Sequence, residues 1–478
     1  MDIDSVITKI GFGKFHIISM IILGSNNAYF ALQILTVTLI GPTLLCYWNI
    51  NTYDLFLVTS MGFIGIMTGS VITGNLSDVY GRKPVLIMSN IGLIYCGVMS
   101  AMSPTVAWLI CMQFVTGVFT SGLCSTLFAL QSEITPVKYR GTLMVAYELF
   151  WAVESFLITS LCFLITPTYG WRIFILISNI PLIIVTIGAV WMPESPRFLL
   201  LHYGKEKCLK VMNRIAEMNK TEFIPDIREE RVPISSFRDL IHRKYVSTTI
   251  LTCLLSFIGC LTYYAVILLV TIINEVPHKC LQNMNTFSQL LIDNKNKTID
   301  NSCCLAMTWE TYKDMFVSIF AEVMFVPITM TLINLIGRKK AFAIYSALVL
   351  SCIFCLNFCL SPITKSVFLF FIRGSSSAYF SLNQIYSTEV FPTSVRSLGI
   401  GLGSTCARFG AVLSSFLVNI IVMQFSLMSA TLSLCSLNFI GFIVSYLLPY
   451  ETKDRKLYQT ANDDYDNKNV LTLDKTEY

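Results

Sequence analysis

Five charged residues stand alone inside long uncharged stretches of this 478-residue chain: Glu148, Glu154, Glu322, Arg373 and Arg408. The three carboxylates can take up and release a proton. The two guanidiniums can hold a carboxylate through paired hydrogen bonds. Placed in a membrane helix, each is disfavoured by about 2.5–3.5 kcal/mol on insertion scales, so such residues face a cavity or a partner. Uncharged side chains able to shape a pocket lie in the same stretches: Gln33, Gln113, Tyr263, Tyr264, Asn383, Gln384 and Tyr386. Asn383 and Gln384 are favoured among them, although helix packing or an interhelical hydrogen bond competes at each position. His16, His202, His242 and His278 show no metal-ligand spacing, so neither metal nor cofactor is expected.

The elements that must position these groups follow from composition. Apolar residues make up 54% of the chain and charged ones 13%, with a mean hydropathy of +0.65. Soluble domains carry roughly 25% charged residues. Too little polar surface remains to cover a soluble fold, which excludes a soluble enzyme, a disordered chain and a nucleic-acid binder. Runs of bilayer-crossing length recur at 15–38, 54–76, 84–102, 105–131, 142–165, 171–192, 246–273, 314–336, 340–360, 364–389, 397–421 and 424–448. The chain therefore reads as an all-α integral membrane protein with twelve transmembrane helices. Away from their ends, spans 3, 6, 9 and 12 carry no charge. No GxxxxGK[ST] loop is present, which argues against an ATP-driven enzyme.

Lys and Arg set the orientation. Twenty-six of the 34 basic residues fall on one side, six on the other, and Arg373 and Arg408 within spans. Both termini, the 193–245 linker and the 451–478 tail are thus expected in the cytoplasm, with the linker forming short amphipathic helices and the tail disordered. The acidic start and the long first apolar run indicate an uncleaved anchor rather than a signal peptide. The 274–313 segment faces the other side. It carries Cys280, Cys303 and Cys304, whose pairing is not readable, and a glycosylation sequon at Asn296. The sequons at Asn75 and Asn219 fall on the cytoplasmic side and are expected to be silent.

The chain repeats with an offset of 256 residues. Gly81-Arg82-Lys83 recurs as Gly337-Arg338-Lys339, Glu133 as Glu389, Arg140 as Arg396 and Pro193 as Pro449. This predicts an N-terminal bundle over 1–192 and a C-terminal bundle over 246–450, six helices each. Such repeats are a transporter architecture with the solute near the midplane.

The stretch Gly74-Asn75-Leu76-Ser77-Asp78-Val79-Tyr80-Gly81-Arg82-Lys83 resembles the major facilitator signature between spans 2 and 3. Pro193-Glu194-Ser195-Pro196-Arg197 and Glu451-Thr452-Lys453 resemble marks of the sugar-porter and organic-ion branches. Ile10-Gly11-Phe12-Gly13-Lys14-Phe15, Thr388 to Arg396 and Ala407-Arg408-Phe409-Gly410-Ala411 resemble the synaptic vesicle 2-related branch. The likeness runs from about residue 9 to 456. It implies a twelve-helix carrier working by alternating access, found in a vesicle or plasma membrane, with a small organic solute and a proton as its partners and a monomer as its unit. It also implies that Asp78, Arg82, Glu133 and Arg140, repeated as Asn334, Arg338, Glu389 and Arg396, form cytoplasmic gates that latch the outward-open state. Two departures stand out. Span 1 has Asn26, Asn27 and Gln33 where the branch carries acids, and Asn334 replaces the second gate carboxylate.

At about 1.5 Å per residue, Arg408, Glu154 and Glu322 fall near the midplane, Glu148 in the inner third and Arg373 in the outer half. Arg408 either binds an anionic solute or forms a buried pair with Glu322 or Glu154. Those carboxylates either exchange a proton during transport or stay permanently paired, and desolvation eases protonation. A non-transporting vesicle protein that uses the carrier fold as a scaffold stands as the alternative function.

Overall fold

A computed structural model describes residues 3–221, 246–273, 309–358, 360–391, 396–422, 427–449 and 451–452. The expectations for Asn296, Cys280, Cys303, Cys304 and the tail beyond Thr452 fall outside these residues, and so does the side chain of Arg396.

Every regular element among the described residues is helical. In chain order these are α1 (Ile3–Ile10), α2 (Lys14–Tyr47), α3 (Thr52–Tyr80), α4 (Arg82–Ala101), α5 (Val106–Ile134), α6 (Val137–Trp191), α7 (Pro196–Tyr203) and α8 (Lys205–Asn219). They continue as α9 (Val246–Ile273), α10 (Trp309–Ile336), α11 (Arg338–Cys355), α12 (Pro362–Val390), α13 (Arg396–Phe416) and α14 (Leu427–Leu447). A π-turn, Leu417–Ile421, extends α13. Nine of the described helices are long and apolar enough to cross a membrane. One of these, α6, turns back on itself at Gly170 (φ 80°, ψ 170°).

The long helices run between two ends of the bundle. Tyr47, Arg172 and Ser103 meet at one, which we call the far end: the Arg172 guanidinium donates to the Tyr47 hydroxyl (2.9 Å) and the Ser103 carbonyl (3.2 Å). Arg82, Glu133, Glu194, Arg338 and Glu451 collect at the other, the basic end. Side-chain caps start α5 and α12. Thr105 Oγ1 accepts from Trp108 N, and Ser361 Oγ accepts from Thr364 N with Pro362 in the first turn.

Small residues bring α3 and α5 together: a Cβ at Gly65 would overlap the Phe114 carbonyl, and one at Gly117 would overlap that of Gly62. Backbones approach this closely in membranes because helix association relies on packing and interhelical hydrogen bonds. Those bonds are present as well. Asn90 donates to Asn26 (2.9 Å), Asn438 exchanges with Thr262 (3.0 Å) and Thr431 donates to Asn357 (2.6 Å).

Two short elements brace the basic end. In α1, Ile3, Val6, Ile7 and Ile10 are buried at helical spacing, an element that the apolar-run reading passes over because it is too short to span. In α8, Cys208, Met212, Ile215 and Ala216 form the buried stripe. Its last residue, Asn219, accepts from Phe15 N (3.0 Å) and donates to Gly11 O (3.1 Å), which ties the linker to the start of α2.

Candidate functional site

The deepest charges form a pair. Glu322 of α10 and Arg373 of α12 have side chains 2% and 3% exposed, and Arg373 Nε donates to Glu322 Oε1 at 2.6 Å. Tyr263 of α9 donates its hydroxyl to the same oxygen (2.8 Å), and the Arg373 guanidinium lies 4.9 Å above the Tyr263 ring. Three helices are thus joined through one carboxylate. Such a pair is strongly favoured over either charge alone in an apolar interior. Of the alternatives left open by the sequence, a pair of Glu322 with Arg408 is not the one formed: the partner is Arg373, which the sequence reading did not pair with it.

Arg408 of α13 has different company. Its guanidinium stacks 5.3 Å from the Phe30 ring of α2 and lies near Tyr264 and Cys260 of α9. Its Nε and Nη1 are buried without a hydrogen-bond partner. Among the described residues no carboxylate forms a salt bridge with it. Glu154 and Glu148, both on α6, are half-buried.

Tyr264 also lines a cavity between α2, α3, α5, α9 and α13. Gln33, Gln113 and Tyr264 line it, as do Thr38, Thr59 and Thr120. Aromatic and aliphatic groups, Phe63, Ile34, Ile66 and Ile267 among them, complete the wall. A wall that is mostly apolar with a few convergent polar groups has the make-up of a small-molecule site. The cavity also engages a chain of hydrogen bonds: Gln33 donates to the Tyr29 hydroxyl, which donates to Asn179.

The cavity is roofed at the far end by contacts between α2–α6 and α9–α14. Asn419 donates to Thr59 (3.2 Å), Phe56 meets Phe416 (6.0 Å between ring centroids) and Phe63 meets Tyr264 (4.9 Å). Phe163 meets Trp309 and Tyr312, and Cys162 lies 3.4 Å from the Tyr312 hydroxyl.

The basic end is built twice. Glu194 accepts from the backbone N–H groups of Arg82 (2.9 Å) and Lys83 (3.2 Å), and Glu451 accepts from those of Arg338 (2.8 Å) and Lys339 (3.0 Å). Each carboxylate caps a helix N-terminus, where the macrodipole favours negative charge. Gly81 and Gly337 make room for them. Both have positive φ (104° and 88°), and a Cβ on either would overlap the capping carboxylate. Arg82 binds Asp78 (3.1 Å) and Glu133 (3.5 Å), and Arg338 binds Glu389 (2.8 Å). Thr452 also donates to Glu389, and Arg140 Nε donates to the Thr135 carbonyl. In this state Arg82 and Arg338 each spend their bonds among helices of their own segment.

Of the uncharged candidates, Gln33, Gln113 and Tyr264 line the cavity and Tyr263 joins the ion pair. Asn383 is buried and donates to Ser256 (2.8 Å), its neighbour Gln384 is exposed, and Tyr386 packs against Phe342. Sequence reasoning passed over Phe30, Thr59 and Asn419. None is charged, and in helices apolar on every side nothing in the pattern marks which face turns inward.

A bundle of membrane-length helices around an interior cavity, roofed at one end and braced at the other by two copies of one acid–base arrangement, defines a membrane transporter. Comparison with known proteins gives the same class. The family described as "Sugar (and other) transporter" matches residues 21–276, and the "Major Facilitator Superfamily" matches residues 315–470. The chain belongs to this sugar (and other) transporter family of the major facilitator superfamily, a family of transporters rather than enzymes. The synaptic vesicle 2-related protein of Xenopus laevis is 30% identical over 468 residues, covering 96% of this chain and 83% of the relative. Among solved structures, the partially occluded inward-open conformation of the xylose transporter XylE from E. coli superposes with a TM-score of 0.69. It is 13% identical and covers 92% of this chain and 99% of the other. The inward-open conformation of XylE gives 0.65 at 14% identity, covering 92% and 97%.

Proposed function

We propose that the protein is a secondary-active carrier of a small organic anion that works by alternating access, with Arg408 as the substrate-facing cation. One observation carries this reading. Arg408 lies near Tyr264 of the cavity wall, with two buried nitrogens lacking a hydrogen-bond partner and no salt bridge among the described residues. Buried polar atoms left in that condition are costly, and an anionic solute supplies what the protein withholds. The test is uptake into proteoliposomes from a panel of labelled anionic, neutral and cationic solutes. Preference for a neutral or cationic solute refutes the assignment.

In this reading the spans number twelve, in two six-helix halves. The nine long apolar helices are joined by α11 and α12, and the two arms of α6 on either side of Gly170 count separately. The basic end faces the cytoplasm, so a roof at the far end makes this the inward-facing state. The networks around Arg82, Glu133 and Arg140, and around Arg338, Glu389 and Arg396, re-pair across the halves when the carrier faces outward. Glu322 is engaged by Arg373 and Tyr263, which leaves Glu154 and Glu148 as the carboxylates available for proton coupling. The working unit is a monomer in a vesicle or plasma membrane.

A second reading, a vesicle membrane protein that regulates or scaffolds without transporting, draws on α2. Asn26 is bonded to Asn90 and Asn27 to the Tyr147 carbonyl, so the positions expected to carry acids hold helices together instead. Absence of uptake for every solute in the panel, with ligand binding retained, favours it.

A further inference from the structure

The hydroxyl groups of the cavity are already committed in one direction. Thr120 Oγ1 donates to the Thr116 carbonyl (2.7 Å), Thr59 to Leu55 (3.1 Å) and Phe56 (3.0 Å), Thr38 to Ile34 (3.3 Å) and Ser415 Oγ to Ala411 (3.4 Å). A hydroxyl has one proton to donate and two lone pairs to offer. Once the proton goes to the helix backbone, as it does for Ser and Thr that bond back to the preceding turn, only lone pairs remain for an occupant, and at Thr59 one of the two already accepts from Asn419. Gln33 gives one of its two amide N–H groups to Tyr29 and keeps the second N–H and its carbonyl oxygen. Two groups of the wall, Gln113 and Tyr264, bring donors of their own.

The cavity therefore favours an occupant that donates hydrogen bonds. Two chemistries donate several at once, hydroxyls and ammonium. The cavity decides between them, because no Asp or Glu lines it. An ammonium moved there loses its water without gaining a counter-charge, whereas hydroxyls carry no charge to compensate.

Resting on the reading of Arg408 as the anion-binding group, we infer that the substrate class is a polyhydroxylated carboxylate. The carboxylate sits at Arg408, and the hydroxyl-bearing chain extends into the cavity toward Thr59 and Thr120. A site built to pair with substrate hydroxyls rejects the analogue that lacks them, because its own buried polar groups are then left unpaired.

The experiment measures binding to the purified full-length protein in lipid nanodiscs, from the ligand-dependent rise in unfolding temperature. Three probes are compared: gluconate, hexanoate, which keeps the carboxylate but has no hydroxyls, and sorbitol, which keeps the hydroxyls but has no charge. Gluconate is expected to bind at least tenfold more tightly than either. Thr120→Val, isosteric but without the lone pairs, should narrow the gap between gluconate and hexanoate, and Ser415→Ala serves the same purpose should the first variant fail to fold. Hexanoate binding as tightly as gluconate, with both weakened by Arg408→Gln, overturns the polyhydroxylated class and leaves the anion reading intact. Sorbitol binding as tightly as gluconate, with neither affected by Arg408→Gln, overturns the anion reading itself. No stabilisation by any of the three probes also overturns the inference.

Discussion

Glu322 is bonded to Arg373, at 2.6 Å, and not to Arg408. That single pairing divides the interior cations into two kinds. Arg373 is neutralised by Glu322 and stacked on Tyr263, although its Nη2 and Glu322 Oε2 are buried without a hydrogen-bond partner. Arg408 has an aromatic face and a phenol but no carboxylate salt bridge among the described residues. The proposed division of labour builds on this: one guanidinium holds α10 to α12, and the other binds the solute.

Breaking the first pair should show up as lost stability. Arg373→Ala leaves Glu322 buried and uncompensated, which costs about 3–5 kcal/mol. Replacing both partners by apolar residues of similar volume, Glu322→Leu with Arg373→Met, should restore most of the loss. Thermal unfolding of the purified variants checks this, and a double variant no more stable than Arg373→Ala contradicts it.

The two carboxylate caps at the basic end make a matched prediction. Gly81→Ala and Gly337→Ala should each destabilise by about 1–3 kcal/mol, because φ is positive at both and the new Cβ overlaps Glu194 or Glu451. Gly74→Ala, with nothing within 4 Å of the new methyl, should be close to neutral. The same unfolding assay compares the three.

Within the network around Arg82, the two acids should differ. The Asp78 side chain is 73% exposed and that of Glu133 only 14%. An exposed pair contributes about 0–1 kcal/mol, so Asp78→Asn should barely change stability, while Glu133→Gln should lower it measurably. Equal losses in the two variants would argue against this ranking.

The roof should be openable from one contact. Asn419→Ala removes the hydrogen bond to Thr59 that joins α3 to the end of α13. Labelling of a single cysteine introduced at Thr38, in a background with the native cysteines replaced, should become faster from the far side with an impermeant thiol reagent. An unchanged labelling rate would mean that the aromatic contacts alone set the closed state.

Some of this arrangement was legible in the sequence. Twenty-residue apolar runs gave an all-helical membrane chain, and the resemblance carried by Gly74 to Lys83 gave the family. The offset of 256 residues marked Gly81 and Gly337 as equivalent, and both are now seen to open a helix against a carboxylate. Pairing was harder. The sequence picked out Glu322, Arg373 and Arg408 as buried charges but did not say which would meet, because a helix surrounded by lipid and by other helices is apolar on all faces and its rotation leaves little trace. One signal was available. Arg338 and Glu389 are 51 residues apart, and so are Glu322 and Arg373. Two helices packed side by side in the same direction keep a constant register, so the contact of Arg338, two residues past the end of α10, with Glu389 of α12 predicts the one between Glu322 and Arg373. The cavity wall had no comparable mark: threonines such as Thr59 and Thr120 become informative only once their donors are seen to be committed to the backbone.

The most direct test of the central claim is substrate affinity at Arg408. In nanodiscs, gluconate binding should weaken at least tenfold in Arg408→Lys, which keeps the charge but loses the planar fork, and should be lost in Arg408→Gln, with the fold intact by unfolding temperature. Binding in Arg408→Gln as tight as in the unmodified protein would contradict the account.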